Sequence, residues 1–103
     1  MTIENPPDPA LRSTLRLYVA GDTPGARRAL ESRKILIEAT AGEMDIEIVN
    51  ILERPDLAET AGILATPTLS DESATPPRRM VGDISDTNQV LEYFGYRKKD
   101  TAL

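Results

Sequence analysis

A chain of 103 residues, 40% apolar and 28% charged, has the composition of an ordinary globular protein and room for one domain with one modest core. Seventeen acidic against 12 basic residues give a net charge of −5, the wrong sign for holding a phosphate backbone, which excludes nucleic acid as the main partner. With neither Cys nor His, the chain lacks disulfides, thiol nucleophiles, imidazole acid–base catalysis and the commonest metal ligands.

Residues 1–11, with Pro6, Pro7 and Pro9 among acidic and polar neighbours, are expected to be a disordered amino-terminal arm. A domain is expected over 12–95. From Ser13, Leu15, Leu17 and Val19 alternate with Thr14, Arg16 and Tyr18, a period of two that predicts a strand. Gly21 and Asp22 break it. Thr23 can cap a helix and Pro24 fits its first position, where a missing N–H costs nothing, so a helix is predicted from here to about Ala41, with Gly42 as its stop. Ile46 to Leu52 is rich in β-branched residues and apolar at both parities beyond Glu47, the pattern of a central strand covered on both sides.

Pro55 opens a short helix ending at Gly62, which completes a strand, helix, strand, helix crossover. Thr66 to Leu69 and Arg78 to Val81 predict an antiparallel pair joined by the loop Ser70 to Pro77. Pro67 cannot donate to a sheet ladder and so belongs at a strand's threshold. Asp86 to Gln89 has capping-box spacing, and Val90, Leu91 and Phe94 give the apolar face of a last helix ending near Gly95. Residues 96–103, with Arg97, Lys98 and Lys99, are expected to be a polar, solvated tail. No stretch approaches the ~18 apolar residues of a membrane span, and no basic segment followed by an apolar run opens the chain, which therefore reads as cytoplasmic with no membrane partner.

Four blocks in order, Leu17 to Pro24, Arg28 to Leu30, Ile63 to Leu69 and Gly82 to Asp86, closely resemble the KaiB family of circadian clock proteins over roughly residues 13–94. The βαβαββα order read from the residues is also that of a thioredoxin-like domain, a three-layer α/β fold on a mixed four-stranded sheet. That is what the resemblance implies for the partner-binding form of the family. It also implies an alternative βαββααβ packing of the second half, as a dimer or tetramer. Glu92 and Lys99 suit a helix and polar tail better than a buried strand, which favours the thioredoxin-like form here. In that form the Thr66–Pro67 bond is expected to be cis, beside the turn at Thr23 and Pro24.

The turn Asp22-Thr23-Pro24-Gly25 stands where thioredoxin chemistry would need its cysteine pair, so redox catalysis is excluded. A Thr23 nucleophile has no base to activate it, and capping explains the residue. Gly21 to Gly25 lacks the Gly-Lys-Ser/Thr ending of a phosphate loop. Asp83, Asp86 and Glu92 read as helix-start and surface carboxylates rather than as a hard-metal site. No catalytic residue, cofactor or metal is assigned. Arg27, Arg28, Arg78 and Arg79 are the candidates for partner contact, able to steer docking onto an acidic surface. The resemblance implies that this surface belongs to a KaiC-like hexameric ATPase. Arg28 and Arg78 match basic positions of the family, and Glu47 stands where clock members often carry lysine. A second reading is an interaction module of two-component signalling, related to the sensor domain of clock-linked histidine kinases.

Overall fold

The computed structural model describes residues 14–99, in the order β1 (Leu15–Val19), α1 (Pro24–Ala39), β2 (Ile46–Asn50), α2 (Pro55–Ala61), β3 (Thr68–Asp71), β4 (Arg78–Val81) and α3 (Thr87–Phe94). The arm assigned to 1–11, the domain's first two residues and the tail from 100 onward lie outside the described residues.

The alternation in β1 divides the molecule into layers. Leu15, Leu17 and Val19 enter one core with Ile46 and Leu69 from the neighbouring strands, Ala26, Ala29 and Leu36 from α1, and Val90, Leu91 and Phe94 from α3. The intervening Tyr18 is equally buried but belongs to the opposite sheet face, with Val49, Thr68 and Ser70. The short α2 brings Ala58 to that second side. Two helices on one face and one on the other make the three layers, as the element order requires.

The strand order is β2-β1-β3-β4, with β1 parallel to β2 and antiparallel to β3, and β3 antiparallel to β4. This corrects the assignment of the second strand as central. β3 returns to the free side of β1, so β1 acquires two neighbours and β2 is left at an edge with Ile48 46% exposed. Its apolar run at both parities arises because Ile46 faces the main core and Val49 the second face. Beyond Asn50 the chain already turns, and Leu52 is 70% exposed.

Local chemistry sets the other boundaries. Thr23 caps α1 by accepting the Ala26 amide on Oγ1 at 3.1 Å, and Pro24 follows as the first helical residue. The helix ends at Ala39, two residues before its sequence-based limit, because Thr40 redirects the chain. Its hydroxyl donates to the Leu36 carbonyl at 2.9 Å and accepts the Met44 amide at 3.1 Å. Gly62 and Gly95 close α2 and α3 in the left-handed region at φ 70° and 78°, and Asp86 caps α3 by accepting the Gln89 amide. The β3 ladder begins one residue after Pro67, two later than expected, and the Thr66–Pro67 bond is cis.

The described part of the carboxy-terminal tail is not free in solvent. Tyr96 is 8% exposed within the core, the Lys99 amide donates to the Ala39 carbonyl at 2.7 Å, and Lys99 Nζ pairs with Glu43 at 2.7 Å. A tyrosine just past the last helix has enough apolar area to draw the following residues across the end of α1.

Candidate partner-docking site

Topology places the carboxy-terminal ends of β1, β2 and β4 and the start of β3 at one end of the sheet. There the Gly21 turn meets the start of α1. Gly21 has φ 62°, the left-handed region that favours glycine, and it lies against the exposed Leu52 side chain, whose Cδ1 would have to move from a Cβ placed there. Asn50 Oδ1 fastens the turn by accepting the Gly21 and Leu52 amides, each at 3.0 Å. Exposed apolar residues gather around this end: Leu52, Val81 at 61% exposure and Leu64 at 98%. A rim of large side chains without cover, on a scaffold held by hydrogen bonds, is the character of a protein-binding surface.

Arg27 and Arg28 share this end but differ in availability. Arg27 is folded back on the turn, with Nε 3.0 Å from Asp22 Oδ1 and Nη2 donating to the Asp22 carbonyl. Arg28 has no ion pair or hydrogen bond from its guanidinium to a described residue, and it lines a cavity of about 190 Å³ with Gly25, Ser32, Pro67 and Asp83. Asp83 accepts the Ser85 amide at 2.9 Å. Hydrogen bonds from the Ser85 side chain and backbone, with the Arg28 cation adding to them, hold the Asp83 carboxyl below the usual carboxylate range.

Arg78 and Arg79 lie away from this cavity, because β4 runs toward it and they occupy the strand's first two positions. Arg78 Nη1 donates to the Tyr93 carbonyl at 3.1 Å, and the Tyr93 hydroxyl returns to the Arg79 carbonyl at 3.0 Å, fastening β4 to α3. The Arg79 side chain serves the second sheet face. Its Nε donates to Ser70 Oγ and its Nη2 to Glu72 Oε2, each at 3.1 Å, while the buried Tyr18 hydroxyl donates to Glu72 Oε1 at 2.7 Å. Beside them Arg16 Nε meets Glu47 Oε1 at 2.7 Å. Burial works to raise the Glu72 carboxyl, but the donors Tyr18 and Arg79 outweigh it and leave it below its ordinary value. Burial, then the bond to Glu72, raises the Tyr18 phenol.

The four arginines therefore divide. Arg27 and Arg28 flank this end of the sheet, whereas Arg78 and Arg79 brace β4. Sequence reading did not single out Ser32, which sits two turns into α1 on the side facing the cavity, or the Tyr18–Glu72–Arg79 cluster. The register that brings Tyr18 opposite Thr68, and Ser70 opposite Arg79, comes from pairing between distant segments. Thr23 and Pro24 have the capping and helix-start positions already described. Asp83 and Asp86 are engaged with their own turns, and no cluster of three or more metal-ligating side chains occurs among the described residues. No helix among them is long and apolar enough to cross a membrane.

Comparison with known proteins agrees with this architecture. The KaiB domain family model matches residues 16–95. The circadian clock oscillator protein KaiB of Parasynechococcus marenigrum is 47% identical over 78 residues, 75% of each chain. That of Synechococcus elongatus is 45% identical over 78 residues, 75% of this chain and 76% of the relative. Among solved structures, chloroplastic thioredoxin z superposes with a TM-score of 0.65 at 21% identity, covering 84% of this chain and 80% of its own. The N-terminal domain of Synechococcus elongatus SasA does so with 0.63 at 18% identity, covering 100% and 99%. These two likenesses show a thioredoxin-like fold, and the match over residues 16–95 with these identities places the chain in the KaiB family.

Proposed function

We propose that this protein is a non-enzymatic, cytoplasmic regulator that docks on a KaiC-like hexameric ATPase, one protomer per ATPase subunit, and alters its phosphorylation or output in a timing pathway. The observation that carries this reading is the KaiB domain match across residues 16–95, which spans the whole docking end. The geometry supports it. The thioredoxin-like scaffold carries Thr23 and Pro24 where a redox protein needs thiols, and it surrounds them with exposed Leu52, Leu64 and Val81 and with Arg28, a surface suited to contact rather than to bond making.

Incubating the chain with a cognate KaiC-like ATPase and ATP, followed by size-exclusion chromatography, tests the proposal. Co-elution is expected, and no complex after hours of incubation would refute it. A second reading, as an interaction module of two-component signalling, draws on the likeness in fold to the SasA domain along the full chain. Capture of a histidine kinase in preference to the ATPase would favour it.

A further inference from the structure

Among the described residues, the hydroxyl of Ser32 is the buried polar side-chain group that its surroundings do not account for. Ser32 is 8% exposed, yet no hydrogen bond joins its side chain to any described residue, whereas the other buried polar side chains, Thr40, Thr68 and Ser70, all have partners. A buried hydroxyl without a protein partner is uncommon, and one on the lining of a cavity that admits small polar groups has its donor free for what enters there. Ser32 lines the cavity of about 190 Å³ that also holds Arg28, Gly25, Pro67 and Asp83.

The donors and acceptors at this cavity define what it can receive. Arg28 brings an unengaged guanidinium, and a Cβ at Gly25 would lie 4.0 Å from Arg28 Nη2, so the cation is close to the first turn of α1. Gly25 is the second residue of α1, and its amide has no helical carbonyl four residues earlier to accept it. Pro67 has no N–H, and the Gly82 amide is already committed to the Pro67 carbonyl at 2.8 Å. Two donors one turn apart on α1 are therefore available to a single group, Arg28 and the Ser32 hydroxyl, with the Gly25 amide about 10 Å from Ser32 at the positive end of the helix. The acceptor nearby, Asp83, is held by Ser85.

We propose that this cavity is a recessed subsite for one carboxylate side chain, an aspartate or glutamate presented by the docking partner, which Arg28 pairs with and the Ser32 hydroxyl, one turn further along the same face of α1, completes as a donor. A planar monoanion matches the open guanidinium fork. Asp83 at the same cavity opposes any anion, a phosphate dianion about twice as strongly as a carboxylate, and a neutral amide would gain no charge pairing with Arg28. The subsite gives the docking reading above its partner chemistry and rests on it.

The test uses the intact chain labelled with ¹⁵N and titrated with a blocked glutamate, N-acetyl-glutamate N-methylamide, against the equivalent glutamine at millimolar concentration. The glutamate should shift the amides of Gly25, Arg28, Ser32 and Gly82, and the glutamine should not. Ser32→Ala should weaken the glutamate about fivefold, and Arg28→Gln about tenfold, the scale of hydrogen bonds to charged groups. Ser32→Ala should leave the thermal midpoint unchanged or higher, because it removes a buried hydroxyl with no partner in the free protein. No shifts, or shifts spread evenly over Arg27 and Arg78 and insensitive to Ser32→Ala, would overturn the subsite. The KaiC-like ATPase separates this inference from the docking reading. Equal affinity for Ser32→Ala and the unsubstituted chain removes the subsite and keeps docking. Probe binding without any ATPase complex removes docking and keeps the subsite.

Discussion

Thr23 and Glu72 show how single side chains set structure, Thr23 at the start of α1 and Glu72 on the second sheet face. Thr23 satisfies an amide that α1 would otherwise leave without a partner, so Thr23→Ala should lower stability by about 1 kcal/mol, measurable by denaturant unfolding. Glu72 receives the Tyr18 hydroxyl and Arg79, and its carboxyl stands below its ordinary value despite burial. A depressed carboxyl binds fewer protons folded than unfolded through this range. Its contribution is therefore present above the unfolded pKa and is lost as the pH falls through the folded one. Glu72→Gln should flatten the acid limb of the stability profile below about pH 4.5, the ordinary glutamate value. A limb of unchanged slope would show that other carboxylates control acid unfolding. Tyr18 was visible in the sequence only as an outward member of an alternating strand. The partner that permits its burial lies 54 residues away, and no local pattern announces such a pair.

Elements were legible wherever the cause was local. Thr23-Pro24, Pro55, Gly62, Asp86 and Gly95 each act through their own backbone conformation or the nearest amides, and the helices begin or end on them as read. Gly95 illustrates the energy involved. Its φ of 78° suits glycine, so Gly95→Ala should destabilise the protein by about 1 kcal/mol, and a thermal midpoint equal to that of the parent would contradict the assigned cap. The place of β2 was not legible, because strand order is decided by where β3 inserts, and an apolar run reads the same in a central strand as in an edge strand touched by helices on two sides. Likewise the turn of residues 96–99 across α1 depends on Tyr96 finding the core, a tertiary event behind a polar-looking tail. Within the candidate site, Arg28 and Pro67 were legible from the motif blocks, and Ser32 was not, because a serine inside a helix carries no sign of being buried.

At the scale of the whole molecule, one continuous core couples β1 to both large helices, while Leu52, Leu64 and Val81 stay outside it. Leu17, fully buried at the centre of that core, should cost about 2–5 kcal/mol when replaced by alanine, in a protein whose size allows little reserve. Leu64, almost fully exposed, should give a Leu64→Ala variant with unchanged stability and weakened association. The division between a buried scaffold and an uncovered rim is what a regulator acting by contact requires, and under the proposed function the partner sits on that rim. Hydrogen exchange of the chain bound to a KaiC-like ATPase with ATP, compared with the free chain, tests this most directly. The account predicts new protection at Gly21–Arg28, Leu64–Pro67 and Val81–Asp83, lost together in Arg28→Glu; protection confined to the Arg16–Glu47 face, or none at all, would contradict it.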